Sequence, residues 1–79
     1  MSDAPVAQTL DCRGLVCPMP VIKLSKAIKT VDLGAVLEML ATDPGSVPDV
    51  AAFQKQTGHQ VVARSQGGGV FRFLIKRMK

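Results

Sequence analysis

The sequence predicts an α+β fold: a two-layer α/β sandwich in β-α-β-α-β-β order, with a mixed four-stranded sheet and two helices on one face. Three observations carry this expectation. Segments with apolar residues at helical spacing alternate with short apolar runs of strand length. Near the C-terminal end, Gly67-Gly68-Gly69 separates two segments of alternating character, the mark of a hairpin. And 79 residues, 47% hydrophobic and 20% charged, suit one small globular domain and not a disordered chain.

The elements follow in order. Residues 1–7 are small, polar or proline-containing and are expected to form a flexible tail ahead of a single domain over 8–79. The first strand is expected over 8–12, with a turn through Arg13, Gly14, Leu15 and Val16. A helix should start just after Cys17, because Pro18 and Pro20 fit a first turn whose N–H groups lack partners anyway. Val21, Leu24, Ile28 and Val31 form its apolar stripe, and Lys23, Lys26 and Lys29 fall toward the other side. Gly34 breaks the chain, 35–42 reads as a largely buried strand, and Asp43-Pro44-Gly45 turns it. Ser46 and Asp49 resemble a capping box at the start of a second helix. Val50, Phe53 and Thr57 share a face of that helix, and Gly58 suits its C-terminal cap. The first two strands, joined by a helix, should be parallel through a right-handed crossover. The hairpin strands are expected over 61–66 and 70–75. Matching Val61, Ala63 and Ser65 to the Phe71, Phe73 and Ile75 face requires a three-residue loop and sets Arg64 opposite Arg72.

Composition narrows the function classes. There is no Trp or Tyr and there are three Phe, which argues against direct nucleic-acid binding by base stacking. No apolar run approaches the roughly 18 residues of a membrane span, so no membrane insertion is expected. The N-terminal residues lack a basic stretch followed by an apolar segment, so the cytoplasm is the expected compartment. Charge is uneven: residues 1–49 hold four basic and six acidic groups, residues 50–79 six basic and none acidic. The basic half is either a solvated hairpin or a docking face for an acidic partner or nucleic acid, with Arg64, Arg72 and Lys76 as its candidates.

Two cysteines, Cys12 and Cys17, are too few for a disulfide scaffold. With the single His59 they make three ligands where structural zinc wants four, so neither a metal nor another cofactor is expected. Cys17 stands at a strand-to-helix turn, where unpaired N–H groups and the positive end of the helix dipole favour thiolate. The prolines donate no N–H, so the dipole, the remaining amides and Arg13 are expected to lower the thiol pKa, while Pro18 and Pro20 stiffen the backbone that holds the sulfur. From spacing alone, a small hydrophobe at a turn is an equal alternative.

The segment from Leu10 to Pro20, with Cys17-Pro18-Met19-Pro20 after a Leu-Asp-x-x-Gly-Leu lead, looks like the signature of the TusA/SirA/YedF family of small sulfur carriers. The resemblance continues through Gly34, Asp43-Pro44, Asp49 and Gly58-His59. It implies a sandwich like the C-terminal domain of translation initiation factor 3. It implies further that Cys17 carries sulfur as a persulfide, loaded by a cysteine desulfurase or rhodanese-like donor and unloaded by an acceptor protein thiol. In such relatives the sulfur serves tRNA thiolation, sulfur oxidation, molybdenum-cofactor supply or selenium metabolism. Cys12 is then either a strand-end core residue or a second thiol that resolves or protects the persulfide. Asp11 either caps a turn or orients the loop. His59 is expected as a surface or capping residue, with general base as its functional alternative. Asp43 and Asp49 read as turn and cap residues. Lys23 and Lys26 begin roughly 9 to 14 Å along the helix from Cys17 and are candidate docking charges. Two other classes stay open: a basic RNA- or protein-binding regulatory module, and a dithiol redox protein using Cys12 and Cys17.

Overall fold

A computed structural model describes residues 6–79. Its elements are β1 (Val6–Cys12), α1 (Met19–Ala27), which tightens into a 3-10 turn (Ile28–Thr30), β2 (Val36–Ala41), α2 (Ser46–Thr57), β3 (Gln60–Gly67) and β4 (Val70–Lys76). The four strands form one sheet in the order β1-β2-β4-β3. β1 and β2 run parallel, and β4 is antiparallel to both β2 and β3. The α+β sandwich is as expected. β1 starts earlier than expected: Val6 pairs with Val36, so Val6 and Ala7 belong to the sheet and not to the tail. Residues 1–5 of the expected tail lie outside the described residues.

Alternation along the central strands puts Leu37, Met39 and Ala41 of β2 and Phe73 and Ile75 of β4 on one face, all nearly or fully buried. Leu24, Ala27 and Ile28 of α1 and Val50 and Phe53 of α2 complete the same core. Burying a side chain such as Leu24 or Phe53 contributes about 1.5 to 3 kcal/mol. The three lysines of the first helical segment are exposed, as its periodicity demands.

The hairpin departs from expectation. Its loop holds two residues, because Gly67 pairs with Val70. Gly68 and Gly69 both take positive φ, 58° and 78°, the backbone that a tight two-residue hairpin turn needs and that matches the twist of its strands. Arg64 therefore sits opposite Phe73, and Ser65 opposite Arg72. Ala63 and Ser65 belong to the helix-free face. A bulge between Val61 and Ala63 then restores Val61 to the core face, opposite Ile75. Thus Arg64 and Arg72 lie on opposite faces of the sheet. Arg72 pairs with Glu38, which also accepts a 2.8 Å hydrogen bond from Thr9. Together these three make a polar row across three strands of the helix-free face. Among the described residues no helix is long and apolar enough to cross a membrane.

Candidate functional site

Parallel pairing of β1 and β2 brings their C-terminal ends to one edge of the sheet, with Cys12 opposite Ala41. The loops that follow therefore lie side by side. They are tied by a 2.9 Å hydrogen bond from Gly14 N–H to the Thr42 hydroxyl. A second tie runs from Cys17 N–H to Asp43 Oδ2 at 2.7 Å. Cys17 itself precedes α1, and its peptide bond to Pro18 is cis. Pro18 occupies the N-cap and Pro20 is buried in the first turn, so α1 begins without side-chain capping.

Cys17 is exposed. Its thiol turns toward the start of α2 and donates to Asp49 Oδ2 at 2.5 Å. Gly45 makes room for this: a Cβ at that position would lie 3.2 Å from the Cys17 Cβ and 3.2 Å from Asp43 Oδ2. Asp43 also accepts from Gly45 N–H through Oδ1, at 3.3 Å. The residues expected as turn and cap thus both reach Cys17, Asp43 at its N–H and Asp49 at its Sγ. Asp49 stands in the first turn of α2, where the helix dipole favours a carboxylate. Ser46 does not cap α2; its hydroxyl donates to the Asp43 carbonyl at 2.7 Å.

The expected lowering of the thiol pKa is not found. The hydrogen bond to Asp49 pushes the Cys17 pKa up, reinforced by partial desolvation and the charges of Asp49 and Asp43. Arg13 does not offset this, because it is bound to Asp11 through Nε at 2.9 Å and Nη2 at 3.0 Å. Asp11 Oδ1 also accepts from Arg13 N–H at 3.1 Å, so Asp11 organises the turn. The Arg13 hydrogen bonds hold the Asp11 pKa at about 2.

Cys12 is fully buried in the core, and burial pushes its pKa up. His59, expected as a surface or capping residue, is buried at 9% exposure, stacked on Phe53 with ring centroids 5.8 Å apart. Its Nδ1 accepts from Met78 N–H at 3.1 Å. It follows the C-terminal cap of α2, whereas Asp49 lies in the first turn, so His59 is not a base for Cys17. Val16, Met19 and Ile22, beside Cys17 in the chain, are exposed at 67%, 41% and 41%, an apolar collar that spacing did not single out. Lys23 and Lys26 are exposed one to two turns farther along. Among the described residues no group of three His, Cys, Asp or Glu side chains converges as a metal site.

Sequence reasoning missed the acidic contact because it joins residues 32 positions apart. The usable signal is topological: parallel strands place their following loops together at one sheet edge, where open α/β sheets gather their functional groups.

The fold is thus a small mixed sheet backed by two helices, with an exposed cysteine at its first strand-to-helix turn. The sequence model described as Sulfurtransferase TusA matches residues 8–77, and the chain belongs to this family. It is similar to the sulfur carrier protein TusA of Allochromatium vinosum, with 47% identity over 70 residues, covering 89% of this chain and 92% of that one. It also resembles the crystal structure of a SirA-like protein from Desulfitobacterium hafniense. There the TM-score is 0.78 at 27% identity, covering 91% of this chain and 99% of the other.

Proposed function

We propose that the protein is a sulfur carrier that accepts sulfane sulfur as a persulfide on Cys17 and relays it to an acceptor protein thiol. The observation that carries this reading is the contrast in access between its two thiols: Cys17 is exposed at a loop tip and Cys12 is sealed in the core. Sulfur relay needs an exposed thiol, because both exchanges require a partner's sulfur to come within bonding distance. Membership of the family and the relative named a sulfur carrier support the same reading.

The step is redox-neutral. Cys17 Sγ attacks the outer sulfur of a donor persulfide R–S–SH. The new Cys17 S–S bond forms as the donor S–S bond breaks. The donor sulfur leaves with the electron pair and takes up the proton that Cys17 gives up, leaving Cys17–S–SH and R–SH. Attack on that terminal sulfur by an acceptor thiol repeats the exchange downstream. A cysteine desulfurase or rhodanese-like protein is the donor class. tRNA thiolation and sulfur oxidation are the pathway classes that such an exchange serves. Pro18 and Pro20 stiffen the backbone that carries the sulfur, and the exposed Lys23 and Lys26 are the docking charges.

The test is intact mass after incubation with inorganic polysulfide. The parent gains about 32 Da, lost on treatment with a thiol reductant, and Cys17→Ser gains nothing. Equal gain by Cys17→Ser removes Cys17 from the role. The dithiol alternative loses support from the full burial of Cys12.

A further inference from the structure

The hydrogen bonds around Cys17 form a more specific device than an exposed thiol requires. Its N–H is held by Asp43 and its S–H by Asp49, and a Cβ at Gly45 would crowd both Cys17 and Asp43. Every charged group acting on the thiol is acidic: Asp49 from α2 and Asp43 from the turn before it. The loop's own cation, Arg13, is committed to Asp11. The first turn of α1 holds no acidic residue, and Lys23, the first charge along that helix, acts on Cys12. The positive end of α2, which could have stabilised a thiolate, faces the Asp49 carboxylate instead.

From this geometry we propose that Asp49 is a positioning residue that keeps Cys17 as a neutral, oriented thiol in the free protein, so that the Asp49 charge sets the reactivity of the sulfur. This deepens, and rests on, the reading of Cys17 as the carrier. The thiolate is the nucleophile, so a thiol anchored to a carboxylate is protected from stray electrophiles and oxidants between transfers. Losing the Asp49 charge releases the proton more readily. The upward push on the Cys17 pKa agrees with this direction.

The experiment is the rate of Cys17 alkylation by iodoacetamide, followed by peptide mass on the full chain across the pH range of thiol ionisation. Asp49→Asn keeps the shape and an acceptor oxygen but removes the charge. It lowers the pH midpoint and raises the neutral-pH rate about three- to tenfold. Asp49→Glu, which keeps the charge, stays closer to the parent. An unchanged or raised midpoint in Asp49→Asn, with circular dichroism intact, overturns the proposal. Should that variant fail to fold, the parent protein decides by carbon-13 NMR. The Asp49 carboxyl resonance must show an inflection at the pH where Cys17 loses its proton, and a flat trace there overturns the proposal. Iodoacetamide carries no sulfur, so this outcome is independent of persulfide loading, which the mass gain alone decides.

Discussion

The two ends of α2 each hold a titratable side chain in its neutral form, by opposite means. At the N-terminal end, the Asp49 hydrogen bond and the charges of Asp49 and Asp43 keep the Cys17 proton on an exposed sulfur. At the C-terminal end, burial first, and then the charges of Arg77 and Lys79, push the His59 pKa below its ordinary value. Both arrangements complement the helix dipole, with acids at the positive end and cations at the negative end. The buried end is a clasp. His59 stacks on Phe53 and accepts from Met78 N–H, while Arg77 Nη1 donates to the Val31 carbonyl at 2.7 Å. The other end leaves its cysteine exposed. The group shifted by burial is thus part of the packing, and the one shifted by specific carboxylates stays at the surface.

Breaking the clasp gives the largest stability effect. His59→Ala removes the stack and the acceptor for Met78 N–H, and costs about 2 to 3 kcal/mol in urea unfolding. The clasp is also pH-dependent, with a definite sign. The folded imidazole has a lowered pKa, so its contribution is complete above the unfolded value near 6.5 and is lost as pH falls toward the folded one. Stability measured by thermal unfolding therefore declines as pH drops below about 6.5, and His59→Gln flattens that decline. A decline of equal steepness in His59→Gln would assign it to other groups.

The next effect concerns the other thiol. Cys12→Ala leaves a small cavity in the core and costs about 1 kcal/mol, while sulfur loading continues. Cys12→Ser costs more, because it buries a hydroxyl where a weakly polar thiol sat. Loss of loading in a folded Cys12→Ala protein would make Cys12 a participant and dissolve the contrast between the two thiols.

The smallest effect sharpens the exposed end. Lys23→Glu with Lys26→Glu slows sulfur transfer from a protein donor about threefold at low salt, and the difference shrinks as salt rises. Loading by inorganic polysulfide is unchanged. Equal slowing with both donors would place the lysines in control of sulfur reactivity and not of docking.

Much of this was legible from the chain. The stripe of Leu24 and Ile28, the Gly58 cap and the order of elements follow from local spacing and turn chemistry, which act over a few residues. The hairpin register did not, because three consecutive glycines fit either a two- or a three-residue loop. The bulge that reconciles the shorter loop with a buried Val61 has no signature of its own. Cys17 stood out by its place before a helix and by its motif. The sign of its pKa shift stayed hidden, since it depends on where Asp49, 32 residues away, points its carboxylate. The burial of His59 stayed hidden for a similar reason: it depends on Phe53 and on the C-terminal segment folding back beside α2.

The most direct test of the central claim maps sulfur on the unmodified chain. After brief exposure to inorganic polysulfide, persulfides are trapped with an alkylating reagent, the protein is digested, and the trapped sulfur is assigned by peptide mass. The added sulfur is expected on the Cys17 peptide and none on the Cys12 peptide; persulfide on Cys12 in the folded protein, or on neither cysteine, would contradict the carrier role of Cys17.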